Sequence, residues 1–142
     1  MYQERCHKEV RQKLRSMRMI PEAIDQITVH LIQEDFLNEE RFARSFTRGK
    51  SRIKNWGRRR IRLELSQKEI SEKLIRLALE EIDQTAYLHR FHSLAEKRWS
   101  ELQTETDIRR KKKKLADYLV YRGWESDLIY DKITSLTSNK PT

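Results

Sequence analysis

Glycine, proline and cysteine are all scarce in this 142-residue chain, with three Gly, two Pro and one Cys. Three glycines cannot furnish a phosphate-cradling loop or a dinucleotide fingerprint. So few turn-forming residues argue against a sandwich or barrel of many short strands. The single cysteine, Cys6, has no internal disulfide partner. No apolar run approaches the ~20 residues of a membrane span, and the opening MYQERCHKEVRQ is too polar for a secretory leader. Acidic residues are missing from the whole stretch between residues 41 and 62. What these absences leave is a soluble, cytoplasmic, all-helical chain.

The apolar content is modest. Mean hydropathy is −0.91 and 37% of residues are charged, so the core is expected to be thin. Leu, Ile, Val and Phe still make up roughly a quarter of the chain, above the level associated with disorder.

Five apolar columns recur without gaps in three segments, 10–31, 61–82 and 115–136. They are Val10/Ile61/Leu115, Leu14/Leu65/Leu119, Met19/Ile70/Trp124, Ile24/Ile75/Ile129 and Leu31/Ile82/Leu136. A spacing of 51 and then 54 residues fits a repeat architecture. Each segment reads as two short helices about a turn. Pro21 suits a first helical position, Ser71 can cap, and Gly123 can take the left-handed conformation that ends a helix.

A third helix follows in the first two units. Asn38 is a good cap, with Glu39 and Glu40 at the positive end of the helix dipole. Phe42, Ala43, Phe46, Gly49 and Ile53 then fall on one face, as do Tyr87, Phe91, Leu94, Ala95 and Arg98 in the second unit. Thr104 and Asp107 resemble a capping box opening the third unit, whose core face is read as Ile108, Leu115 and Leu119. The expected fold is all-α: tandem three-helix repeats stacked into an extended, curved array, at 1–54, 55–104 and 105–142, the last incomplete. One such unit alone buries too little apolar surface to offset its chain entropy, so the units must share a core.

The net charge of +9 is strongly polarised. Ten basic residues lie between Arg41 and Arg62: Arg41, Arg44, Arg48, Lys50, Arg52, Lys54, Arg58, Arg59, Arg60 and Arg62. The run RRKKKK at 109–114 adds six more, including Lys111 and Lys112, which leaves the remainder of the chain net acidic. Arg41, Arg44, Arg48 and Arg52 form a stripe beside Phe42 and Phe46, and Gly57 breaks the chain before a second basic helix. Arginine's planar fork binds phosphate or carboxylate through paired hydrogen bonds. The pattern therefore points to a polyanion or an acidic protein surface, and composition does not choose between them. Phe42 and Phe46 read as core, and Trp56 is a weaker core candidate beside the Gly57 break.

Catalytic constellations are not found. His89 and His92 lie three apart on a helix, but no further ligand completes a metal site. Cys6 and His7 are adjacent with no third group to orient them, and the carboxylates have Lys or Arg neighbours typical of surface pairing. The chain reads as a non-enzyme that needs no cofactor.

The stretch Asn38-Glu-Glu-Arg-Phe-Ala-Arg-Ser-Phe, the basic run, Gly57, and Arg60-Ile61-Arg-Leu-Glu64-Leu65-Ser-Gln-Lys68-Glu-Ile70 together resemble the RecX family of bacterial recombinase regulators. That family's pattern has Phe-Ala, several basic residues, a Gly, then an R-I-x-x-E-L helix leading to K-G-I. Glu69 stands where the family has Gly, Trp56 stands before Gly57, and the third unit is short. The resemblance implies a partner, the RecA recombinase filament on single-stranded DNA. It also implies a role in DNA repair and recombination, most commonly inhibition of RecA ATP hydrolysis and strand exchange. Carried over by position, the basic residues between Phe42 and Ile61 would face the filament groove, with the protein acting as a monomer away from membranes. The residues read alone also fit a sequence-independent nucleic-acid-binding repeat protein.

Overall fold

A computed structural model describes residues 4–138, and among them the chain is all-helical, with eight helices and no strand. The helices are α1 (His7–Ser16), α2 (Pro21–Gln33), α3 (Glu39–Arg52), α4 (Arg58–Gln67), α5 (Glu72–Glu80), α6 (Gln84–Glu101), α7 (Ile108–Tyr121) and α8 (Ser126–Ser138).

Their starts follow local chemistry. Pro21 opens α2. The Asn38 side-chain oxygen accepts from the Arg41 N–H at 3.0 Å, Ser71 from Leu74 at 3.3 Å and Asp83 from Ala86 at 2.9 Å. The expected Thr104–Asp107 capping box does not form. Asp107 is itself the cap of α7, accepting from the Arg109 N–H at 2.9 Å, so the helix begins three residues later than that motif requires.

The ends of α1, α4 and α7 share one device. Arg18, Glu69 and Gly123 occupy equivalent positions of the repeat, and all have positive φ: 62°, 64° and 93°. The next residue returns its N–H to a leucine carbonyl one turn back: Met19 to Leu14, Ile70 to Leu65 and Trp124 to Leu119, at 3.4, 3.1 and 3.1 Å. These are Schellman turns. Two of the apolar columns are thus explained as the residue pairs that close each turn.

By their contacts the helices form two units. The first comprises the residues up to Arg48 with Leu63–Glu81. Its buried side chains include Ile24, Leu37, Phe42, Ala43, Leu65, Ile70, Ile75 and Ala78. Phe46 stacks on Phe42 with ring centroids 5.7 Å apart. Cys6 is buried at the start of α1, where its N–H donates to Glu9. Burial disfavours the charged form of Glu9, but the 3.0 Å bond from Lys68 and the Cys6 N–H outweigh it and hold its pKa below the usual carboxylate range.

The second unit comprises Gly49–Arg62 and the residues from Ile82 onward. Trp124 lies at its centre, 4.6 Å from the Tyr87 ring and 5.3 Å from Phe91, surrounded by Ala95, Leu115, Leu119 and Ile129. The Gly57 N–H donates to the Arg122 carbonyl at 2.8 Å, and the Arg59 N–H to the Gly123 carbonyl at 3.0 Å. A Cβ at Gly57 would lie 2.3 Å from the Gly123 oxygen, and one at Gly123 would lie 2.3 Å from the Arg60 Cβ. Gly57 is therefore more than a chain break: it lets the linker's backbone dock on the α7–α8 turn.

Two expected core positions are corrected. Ile53 is 77% exposed, because α3 ends at Arg52 and the helical period stops there. Ile108 is 49% exposed, being the first residue of α7 with no preceding turn to cover it. The inward face of α3 instead continues through Ala43, Thr47 and Ser51, all buried and spaced by four.

Gly57→Ala is expected to destabilise the protein by ~2 kcal/mol through this backbone clash, measured as a lower urea midpoint at unchanged slope. Glu69→Gly has the opposite sign. Relief of a left-handed non-glycine residue gains ~1–2 kcal/mol and the added freedom of the unfolded chain returns about half, so the midpoint should rise.

Candidate functional site

The basic window maps onto both units, each with its own arrangement. In the first, α3 presents Arg41, Arg44 and Arg48. Arg41 is half-buried, its Nε 2.6 Å from Glu4 and its Nη1 3.2 Å from Asp35. Arg44 and Arg48 converge on one carboxylate, Glu81, at 2.6 and 3.2 Å. The side chains of this trio remain 28%, 47% and 33% exposed. The bond to Glu81 raises the Arg44 pKa further, so its charge is fixed.

In the second unit, Arg58 sits over the Tyr87 ring at 4.0 Å and reaches Glu125 at 3.2 Å and Gln84 at 2.7 Å. The Tyr87 hydroxyl accepts from the Arg58 N–H at 2.9 Å and donates to Glu125. Burial and the neighbouring carboxylate push the phenol's pKa far up, so it stays a donor. Arg58 is thus the most structurally committed residue of the window. Arg59 is exposed, with a 3.2 Å bond to the Ser126 hydroxyl. Arg52, Lys54 and Arg62 are exposed. Lys50 and Arg60 both lie over the Trp56 ring, at 5.0 and 4.0 Å. Trp56 is therefore half-buried between cations rather than inside the core.

The lysine run lies on α7. Lys111 covers the Trp99 ring at 4.0 Å and Lys112 is half-buried. Arg110, Lys113 and Lys114 pair with Asp107, Asp117 and Glu105, the last holding the Glu105 pKa down through its hydrogen bond. Half of this run is thus paired with local acids.

Several window arginines are therefore held by carboxylates that lie elsewhere in the sequence. Such partly exposed pairs are worth ~0–1 kcal/mol each. A partner's carboxylate or phosphate can displace Glu81 at little cost, and the two forks are already positioned about one anion. Sequence reasoning missed Arg98 and Arg122, which stack on Tyr118, and the role of Arg60 between two aromatics. The available signal was the Tyr118, Tyr121, Arg122 cluster at the end of α7. Among the described residues, no group of three His, Cys, Asp or Glu is placed to hold a metal ion, and no helix is long and apolar enough to cross a membrane.

Residues 38–79 match the RecX second three-helix domain and residues 86–133 the RecX third three-helix domain. These stretches begin near α3 and α6; a three-helix period has no intrinsic first helix. The regulatory protein RecX of Prosthecochloris aestuarii is 32% identical over 136 residues, covering 96% of this chain and 87% of that protein. That of Serratia proteamaculans is 36% identical over 111 residues, covering 77% and 62%. A crystal structure of RecX from Lactobacillus salivarius superposes with a TM-score of 0.78 at 30% identity, over 97% of this chain and 89% of that one. With both domain matches, two relatives above 30% identity and a shared fold in agreement, the chain belongs to the RecX family of regulatory proteins.

Proposed function

We propose that the protein binds the RecA filament on single-stranded DNA and inhibits its ATP hydrolysis and strand exchange, in DNA repair and recombination. It acts as a cytoplasmic, monomeric regulator without catalysis or cofactor of its own. Its helices serve as three consecutive repeats, residues 1–54, 55–104 and 105–142. Membership of a family of regulatory proteins supports the regulatory part of this reading.

The observation that carries the binding surface is the pair Arg44 and Arg48 about Glu81. Two fixed cations are aligned on one exposed carboxylate, within a window free of acids. The filament supplies competing anions, both acidic side chains and phosphates. Arg41, Lys50, Arg52, Lys54, Arg58, Arg59 and Arg62 extend the attraction along the same stretch of chain, and Lys111 and Lys112 add a second, weaker contribution.

Two variants with opposite expected signs test this. The triple variant Arg44→Glu, Arg48→Glu, Arg52→Glu is expected to raise the concentration needed for half-inhibition of RecA ATPase on single-stranded DNA at least tenfold, with helicity unchanged by circular dichroism. Glu81→Gln removes the internal competitor and should lower that concentration severalfold. Unchanged inhibition in both variants would remove this surface from the mechanism. A protein acting only on nucleic acid would instead bind bare duplex and single strands alike, with affinity falling steeply in salt.

A further inference from the structure

The second unit has a polar cleft of about 320 Å³ whose residues are mostly outside the arginine window. Lys54, Lys97, Arg98 and Arg122 line it, against one carboxylate, Glu101. Arg98 and Arg122 both lie over the Tyr118 ring, each 5.0 Å from its centroid. Arg122 is anchored by a 2.7 Å bond to the Lys54 carbonyl. Arg98 touches Glu101 only at 3.5 Å, and its Nε is buried with no hydrogen-bond acceptor among the described residues. The Arg98 side chain is 35% exposed, so its outer N–H edge stays open to the cleft and is held by ring stacking rather than by a firm internal ion pair.

Tyr121, next in chain to Arg122, is 74% exposed. Arg60 covers it at 4.7 Å and also covers Trp56 at 4.0 Å, and it donates to the Tyr121 carbonyl. Cations and flat rings thus alternate along Trp56, Arg60 and Tyr121, beside a cleft carrying four positive charges and one negative. Guanidinium stacking on a ring leaves the N–H edges for phosphate oxygens. An exposed tyrosine face is the platform on which unpaired bases stack.

We infer that this cleft and the aromatic ladder beside it bind a single nucleic-acid strand, a backbone phosphate in the cleft and a base on Tyr121. A duplex keeps its bases stacked internally and has none to offer Tyr121. An acidic peptide would satisfy the arginines but leave the ring unused. The inference deepens the proposed function, since it assigns direct strand contact to this face. It rests on that function only for the source of the strand, because bare oligonucleotide suffices for binding.

The test is fluorescence anisotropy of a labelled twenty-nucleotide oligothymidylate titrated with the full chain at several salt concentrations, RecA absent. The parent is expected to bind with a dissociation constant on the order of 10⁻⁵ M. Lys54→Glu with Lys97→Glu, both exposed, should weaken binding at least tenfold and reduce the salt slope by about 1.4, two single-strand phosphate contacts. Tyr121→Ala should weaken it at least fivefold with the slope unchanged, the signature of lost stacking. Lys73→Glu with Arg76→Glu on α5, the same charge change elsewhere, should stay within twofold. The inference is overturned if the cleft pair behaves like the α5 pair, or if Tyr121→Ala has no effect. It is also overturned if a duplex of equal length binds as tightly, or if polyglutamate competes as well as oligothymidylate. Since RecA is not in the cuvette, failure here leaves the ATPase results on Arg44, Arg48 and Glu81 standing, and failure there leaves this binding untouched.

Discussion

Four helices, α1, α2, α4 and α7, stop on the same backbone event, a residue in the left-handed region whose successor returns its N–H to a leucine carbonyl of the helix just left, and in α1, α4 and α7 that successor is an apolar residue of the repeat. At Arg18 and Glu69 that conformation costs ~1–2 kcal/mol, since both carry a Cβ. Seating the next residue offsets it: burial of a side chain such as Ile70 is worth ~1.5–3 kcal/mol, and the returned N–H bonds satisfy carbonyls that the helix end would otherwise leave bare. Shift the turn by one residue and Met19, Ile70 and Trp124 would leave the core side together. The direction in which α1, α4 and α7 each hand the chain to the next helix descends from this turn.

The surface chemistry follows a second constraint. A protein cannot leave ten cations on twenty-two residues without compensating repulsion, and this one does so from a distance. Glu4, Asp35, Glu81 and Glu125 are supplied from other helices or loops. Aromatic rings take a share of the load, with Trp56, Tyr87, Tyr118 and Tyr121 each lying beneath a guanidinium. Both devices hold arginine side chains in place without neutralising them permanently, and a pre-positioned cation loses less entropy when an outside anion arrives.

Much of the fold was legible in the sequence because the apolar columns have a physical origin. Leu14, Leu65 and Leu119 with Met19, Ile70 and Trp124 are the two sides of each turn, so their spacing cannot drift. Asn38, Ser71 and Pro21 announced their helices through caps that depend only on near neighbours. Glu69 was harder: it replaces a family glycine, yet it keeps the glycine's φ, and nothing in a glutamate advertises that. Ile53 and Ile108 were misplaced because periodicity continues on paper past the point where a helix ends. Thr47 and Ser51 were overlooked because hydroxyl side chains read as surface; Ser51 is buried with its oxygen accepting from Arg90 at 2.8 Å. The basic window was plain in the sequence, but its carboxylate partners were not, since Arg44 meets Glu81 across 37 residues and Arg58 meets Glu125 across 67. Such pairings are products of tertiary structure and leave no local mark.

The docking of Gly57 on the turn at Gly123 also sets a timetable. During synthesis the linker leaves the ribosome more than sixty residues before its acceptor carbonyls exist. Until Arg122 and Gly123 emerge, the Gly57 and Arg59 amides have only water to bond, and the start of α4 is held through Arg58 alone, by Tyr87 and Gln84. Completion of the second unit therefore waits on the turn between α7 and α8.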